Sequence, residues 1–392
     1  MSQRVAIVGV GMTRHTSRRP DVNDGELINE AVTAALADAQ LSIKDIDSVV
    51  IGNMDFFEGH YLSDAMMMDY TGARLKKGLK MNTGGTVGSM EVVSGFYNVA
   101  SGICDTCLVI GWEKHDETAV TPAISTMGDA SLDRPFVVGA LTGLAIEGIE
   151  YMHRTGCQLE HAAMARAQSS QNAARNPHAH LRDKYTPEEV MNARMVQYPL
   201  NLLMVCPTSV GACVTILAGE KKAKKISKKP VWIKDHTTVH PEYTGNHYQG
   251  QFDLPGYPRR TSMMMAGSTI LKRNHITQPM KEIQVFEMYD PCAFVQMSWL
   301  EDFGICGHAE GWKMMEKGMT ALEGAFPVNP SGGVLCTNAI GDSGIMRVAE
   351  AALQIRGDAG EHQVTRDVRT ALASGFGGAF WTDLLLLKKD LD

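Results

Sequence analysis

The sequence predicts an α/β protein, with a parallel sheet covered by helices on both faces. Three observations predict it. Apolar runs of strand length are stopped by glycine or a turn, helix-spaced stretches lie between them, and the same pattern starts again in the second half of the 392 residues.

Residues 4–9, "RVAIVG", read as a first buried strand because they are short, β-rich and stopped by glycine. Over 25–40, Leu27, Ile28, Ala31, Val32, Ala35 and Leu36 recur at i, i+3/i+4 spacing, which predicts a helix with one apolar face. "DIDSVVIGNM" (45–54) is a strand of the fully buried kind. A glycine bend in "LKMNTGGTVGSM" (79–90) opens a helix near 89–101, and "TCLVIGWEK" (106–114) is the next buried strand. In the second half, helical "SMMMAGSTILKRNHI" (262–276) leads to the strand "KEIQVFEMYD" (281–290). Residues 35–54 and 269–290 both run helix end, connector, acidic-Ile, buried strand, a weak internal repeat that points to a duplicated α/β unit.

Composition bounds the function. Apolar residues make up 44% and charged residues 21%, ordinary for a globular chain. A net charge of −7 and a pI near 6.0 lack the basic footprint that nucleic acid or anionic membrane needs. No stretch approaches the roughly 20 apolar residues of a membrane span, and "MSQRVAIVGVGMTRH" reads as a strand and not a signal peptide, so a cytoplasmic protein is expected. The eight cysteines are expected to be free thiols. Cys104 and Cys107 form a C-x-x-C at a strand entry with no second pair, so buried thiols are favoured over metal or redox work, and no metal site is expected in this chain.

Residues 115–230 are less periodic. "TPEE" (186–189) is a helix start with Pro at the first position. The basic run "KKAKKISKK" (221–229) reads as a solvated surface. The expected division is a first part of the N-terminal half (1–115), an insertion with the end of that half (116–230), and a C-terminal half (231–392).

Several segments together resemble the thiolase superfamily, above all its sterol-carrier-protein-type and archaeal branch. They are "VASGICDTCLVIGWEK", "NAARNPHAHLRDKYTPEEVMNARMVQYPL" with "CPTSVGA", "FEMYDPCAF", "LEDFGICGHAEG", "FPVNPSGGVLCTNAIGDSG" and "GFGGAFWTDLLLL", in family order along the whole chain. The resemblance implies a thiolase fold, a duplicated five-layered α/β/α/β/α arrangement with an inserted loop domain. In that family the glycine bend presents a cysteine that accepts the acyl group of an acyl-CoA. Its place here is taken by Gly85. The histidine of the family's Gly-His-Pro loop corresponds to Asn338, the second cysteine falls near Ser374–Gly375, and the branch's His-Asp dipeptide becomes Tyr289-Asp290. Four usual catalytic positions have changed together.

The remaining residues still carry chemistry. Peptide N–H groups at Gly85 and in the 375–378 loop, Gly377 among them, can stabilise an oxyanion with no side chain. Asn338 can donate through its amide but cannot carry a proton. Tyr289, with an ordinary pKa of about 10, suits a general acid or a donor to an enolate, and Asp290 beside it would favour the protonated phenol. Cys292 and Cys336 lie in the same loops, where inert buried thiols are the plainer reading.

The expected function is a thiolase-like acyltransferase subunit that cleaves or forms a carbon–carbon bond on a bulky β-oxoacyl-CoA with coenzyme A, without a cysteine acyl-enzyme. An aromatic acyl group of the benzoylsuccinyl type is the leading example. Retro-aldol cleavage of a β-hydroxyacyl-CoA, as in steroid side-chain aldolases, is the alternative, and an inactive scaffold subunit is a third. The branch implies a homodimer and a small zinc-ribbon/OB-fold acyl-CoA-binding partner, with zinc only in that partner. "MDFFEGHYLSDAMMMDY" (54–70) corresponds to the family's dimer and pocket region, and Arg259 and Arg260 are the candidates for the CoA phosphates.

Overall fold

The computed structural model describes residues 3–59, 62–128, 130–131, 134–135, 139–241, 259–377 and 381–391. His60 and Tyr61 of the 54–70 stretch, residues 256–258 before Arg259, and Gly378 of the glycine loop lie outside the described residues.

The first half contains β1 (Val5–Met12), α1 (Asp24–Ala39), β2 (Ser48–Gly52), α2 (Ser63–Met66), α3 (Met68–Thr71), β3 (Lys77–Met81), α4 (Val87–Ala100) and β4 (Thr106–Lys114). Next come α5 (Val120–Ser125), α6 (Gly139–Thr155), α7 (Leu159–Ala173), α8 (Pro187–Met191) and the small ribbon β5 (Met195–Gln197) and β6 (Leu200–Asn201). The chain then runs through β7 (Val210–Gly219), α9 (Glu220–Ile226), β8 (Val231–Val239), α10 (Ser262–Arg273), α11 (Pro279–Glu282) and β9 (Val285–Glu287). It closes with α12 (Val295–Asp302), α13 (Gly311–Glu316), α14 (Ile340–Arg356), β10 (Thr370–Gly377) and β11 (Trp381–Lys388).

Nine strands are hydrogen-bonded in the order β3-β2-β4-β7-β1-β8-β11-β10-β9. The sheet is mixed. β7 runs antiparallel between β4 and β1, and β11 runs antiparallel between β10 and β8, whereas β3, β2 and β4 run parallel, as do β9 and β10. The order β2-β4-β7-β1 is thus repeated as β9-β10-β11-β8, and the aligned stretches 35–54 and 269–290 fall on α1–β2 and α10–β9. Within the sheet, the two halves are joined through β1 and β8, at Ala6↔Trp232 and Ile7↔Val231 among the described residues.

Strand alternation sorts the core into layers. On β1, Ala6 and Val8 join α1 residues Leu27, Ile28, Ala31 and Ala35 on the outer face. Val5 and Ile7 point the other way, into a central cluster with Val92 and Val93 of α4, Ile345 and Val348 of α14, and Leu385 and Leu387 of β11. Leu384 and Leu386 face outward again, toward Met263 and Ile270 of α10 and Trp299 of α12. The succession is α1/α9, sheet, α4/α14, sheet, α10/α12, the five layers that the resemblance implied.

The central crossing positions the site. A Cβ added at Gly88 of α4 would lie 2.7 Å from the Ile345 nitrogen, and one added at Gly344 of α14 would lie 2.5 Å from the Ser89 nitrogen. The two helices therefore touch backbone to backbone within a turn of their N-termini, which brings the glycine bend and the Asn338 loop side by side. α14 has no side-chain cap of its own; the Gly341 N–H instead donates to Glu113 Oε2 at 2.8 Å. Burial and the neighbouring Glu58 push the Glu113 carboxyl well above the usual range. α6 and α7 pack on the C-terminal half, with Leu144, Ala145, Ala162 and Ala165 in the cluster that holds Phe294 and Trp299. "KKAKKISKK" is a short surface helix and turn in which Lys224 pairs with Glu220 and Lys229 with Asp358.

Candidate active site

The site is assembled from five pieces: the bend before α4, the loop after β9, the loop before α14, the end of β10, and residues 180 and 206–209. Gly85 is buried, and a Cβ added there would fall closer than 3.0 Å to the carbonyl oxygen of Phe376. The Phe376 ring in turn lies 6.1 Å from the Tyr289 ring and 4.8 Å from Trp299. A Cβ at Gly377 would meet the Thr86 nitrogen at 3.4 Å, so the end of β10 rests on the start of α4. Thr86 Oγ1 closes the bend by donating to the Thr83 carbonyl at 2.7 Å.

Tyr289 is buried, with its N–H donated to Ser374 Oγ at 3.0 Å and its hydroxyl to Asn338 Oδ1 at 3.2 Å. Ser343 Oγ donates to the same Asn338 oxygen at 2.9 Å, and the Asn338 amide donates to Cys206 Sγ at 3.2 Å. Burial raises the Tyr289 phenol above its ordinary range, with the Cys206 thiol adding to the rise and a Ser343 hydrogen bond opposing it. Tyr289 is therefore a neutral donor. Asp290 plays no part in that: its carboxylate accepts from the Val334 N–H and from Gln296 Nε2, each at 2.6 Å, and so holds the 331–334 loop. Burial lifts it to about 6, against the pull of the Gln296 hydrogen bond.

The structure thus brings Gly85, Gly377, Tyr289 and Asn338 together. It does not bring Arg259 to them as a free cation. The Arg259 guanidinium makes a two-pronged pair with Asp302, with NH2 to Oδ2 at 2.7 Å, and faces Glu147 and Glu150 as well. Those carboxylates suit a structural cation and oppose a phosphate. Arg260 is exposed.

No thiol near the site is primed for attack. Burial raises Cys206 to about 12 and Cys336 to about 11, and raises Cys292 further. Cys336 Sγ accepts from the buried Arg166 at 3.1 Å, and Cys104 and Cys107 are free and buried. Imidazoles surround the Asn338 loop instead. His180 Nδ1 lies 2.9 Å from Ser209 Oγ, which accepts from the Asn338 N–H at 3.0 Å. His15 Nε2 is 2.7 Å from Asp342, and His115 is buried against Phe57. Burial lowers His180 to about 4 and His115 to about 3. Phe376, Cys206, Ser343 and His180 were not singled out from the sequence. Cys206 and His180 sit in quoted segments, "CPTSVGA" and "NPHAHLRDK", but a lone residue in a non-periodic stretch gives no signal of its own.

Residues 5–194 match the family Thiolase, N-terminal domain, and residues 257–388 match Thiolase C-terminal domain-like. The chain belongs to the thiolase family. It is 30% identical to an acetyl-CoA acetyltransferase of Methanothermobacter thermautotrophicus over 365 residues, 92% of this chain and 93% of that one. It is 26% identical to the benzoylsuccinyl-CoA thiolase subunit BbsB of Thauera aromatica over 384 residues, 96% of each. Sterol carrier protein 2 is also among the relatives, which places this thiolase in the sterol-carrier-protein-type branch. The solved structure of the Ltp2–ChsH2(DUF35) aldolase superposes with a TM-score of 0.82 at 23% identity, covering 100% of this chain and 99% of that one. That likeness shows the fold.

Proposed function

We propose that this thiolase makes or breaks the carbon–carbon bond beside a CoA thioester without passing the acyl group through a cysteine. One observation carries the reading: the space that a nucleophilic side chain at position 85 would need is filled by the Phe376 carbonyl. The bend is built around glycine, and what remains is suited to polarising a thioester. Backbone donors at the start of α4 would hold the oxyanion, and the neutral Tyr289 phenol, whose one O–H rests on the Asn338 amide oxygen that orients it, would turn that O–H to the enolate as it forms. The first route is thiolysis of a bulky β-oxoacyl-CoA, in which coenzyme A enters as co-substrate and takes the acyl fragment directly.

Several observations support the finer points. Met54 and Phe57 of the 54–70 stretch pack with Val87 and Ile340 at the starts of α4 and α14, an apolar wall suited to a large acyl group such as an aromatic one. The relative from Thauera aromatica is named as a subunit, and the structural neighbour is named with a DUF35 partner, so we expect a homodimer that works with a small zinc-ribbon/OB-fold acyl-CoA-binding subunit. Arg260 remains the candidate for the CoA phosphates.

Retro-aldol cleavage of a β-hydroxyacyl-CoA is the second route. It is favoured by the raised thiols and the neutral phenol, because retro-aldol chemistry needs an enolate donor and no acyl acceptor. A mass-spectrometric assay on paired substrates separates the two. Cleavage of a β-oxoacyl-CoA only when CoA is supplied marks direct transfer, and release of an aldehyde or ketone from the β-hydroxyacyl-CoA without CoA marks the aldolase. Silence on both, with the partner subunit present, would leave the chain a scaffold.

A further inference from the structure

We infer that His180 is the proton acceptor of this site, a role that rests on the proposed carbon–carbon chemistry. Both routes begin by taking one proton, from the β-hydroxyl of the substrate in the retro-aldol direction or from the CoA thiol in transfer. The groups at the centre cannot take it: Tyr289 is a protonated phenol, Asn338 does not titrate, and the Asp290 carboxylate is committed to Val334 and Gln296.

His180 is fixed to the Asn338 loop at three points. Its own N–H donates to Thr337 Oγ1 at 3.0 Å, the N–H of Leu181 donates to the Cys336 carbonyl at 3.0 Å, and its Nδ1 meets Ser209 Oγ at 2.9 Å. Ser209 is bound to Asn338 in both directions, its N–H donating to the Asn338 carbonyl at 2.9 Å while its hydroxyl accepts the Asn338 N–H. A serine oxygen has two lone pairs, so it can accept from Asn338 and from His180 Nδ1–H together. The role requires that tautomer, with Nδ1–H donated to Ser209 and Nε2 left as the acceptor. His180 is only half-buried, unlike His115 and His15, which are buried, and His15 already has Asp342 as its partner. The titratable group that faces His180 is His15, whose Nε2 lies on Asp342.

In the step, Nε2 takes the hydroxyl or thiol proton. The oxygen or sulfur electrons form the new C=O or C–S bond, and the pair of the broken carbon–carbon bond moves to the thioester as an enolate beside Tyr289. The imidazolium then returns its proton to the enolate carbon. The balance closes with no other reactant.

The test uses the full chain in two arms. Diethyl pyrocarbonate, which acylates the neutral imidazole, should modify His180 readily, and saturating acetyl-CoA should slow that modification at least tenfold. In turnover, His180→Gln should lower kcat at least tenfold with KM within twofold, remove the acid limb of the kcat/KM profile, and recover part of the rate with added imidazole; His180→Asn serves if the first variant melts early. Unslowed modification under acetyl-CoA, or wild-type kcat in the variant, overturns the inference. If the wild-type chain is silent on both substrates, the activity reading fails on its own and the modification arm still decides whether His180 faces the thioester.

Discussion

Restoring a cysteine at position 85 tests whether this site was rebuilt around glycine. In Gly85→Cys the new Cβ would come closer than 3.0 Å to the Phe376 carbonyl oxygen, which is a strand oxygen and cannot rotate away. Phe376 is held by its pairing with Thr382 on β11 and by ring contacts with Tyr289 and Trp299. The end of β10 must therefore retreat or the α4 start must tilt, an overpacking cost of about 1–3 kcal/mol. The thiol would also lack a base at Asn338. Gly85→Cys should melt several degrees below wild type, Gly85→Ala should fall by a similar amount, and the cysteine variant should show no acyl adduct by intact mass after incubation with acetyl-CoA. A Gly85→Cys protein as stable as wild type that acquires the acetyl mass would refute the reasoning, because the site would then still accept the nucleophile.

Three further outcomes follow from the same geometry. Tyr289→Phe should lower kcat more than tenfold while the melting temperature stays within a few degrees, since the lost hydroxyl bond to Asn338 is worth only about 1 kcal/mol; an unchanged rate would remove the phenol from the chemistry. Arg259→Ala should cost about 3–5 kcal/mol of stability by leaving Asp302 buried without its partner, with little change in KM for CoA, whereas Arg260→Ala should raise that KM and leave stability alone; the reverse pattern would return the phosphate role to Arg259. His115, lowered to about 3 by burial, takes up a proton only when the chain unfolds, so its contribution is complete above its ordinary pKa of about 6.5 and is lost as pH falls toward 3. Between pH 7 and pH 4 that amounts to about 3 kcal/mol, and His115→Phe should flatten the fall in denaturation midpoint over this range.

The sequence showed which residues would meet more clearly than what each of them would do. Periodicity placed α1 and the buried strands, but not the direction of β7 and β11, because a strand buried on both faces reads as an unbroken apolar run whichever way it is paired. Gly85, Tyr289 and Asn338 could be placed because they stand in loops whose order matches a known family. Phe376 could not, since its role comes from the approach of β10 to α4, a contact between residues almost three hundred positions apart that leaves no local mark. Arg259 misled for a related reason: a pair of arginines on a turn looks free until Asp302, 43 residues on, is folded against the first of them. His180 was invisible in the same way, as its meaning depends on Ser209 and Asn338.

The most direct measurement is rapid-quench intact mass spectrometry of the wild-type chain during turnover, with the proposed partner subunit present. Product should accumulate from a β-oxoacyl-CoA with CoA, or from the β-hydroxyacyl-CoA, while the mass of the chain stays that of the free protein at every time point. An acyl adduct on any of the eight cysteines that forms and decays at the rate of turnover would contradict the account.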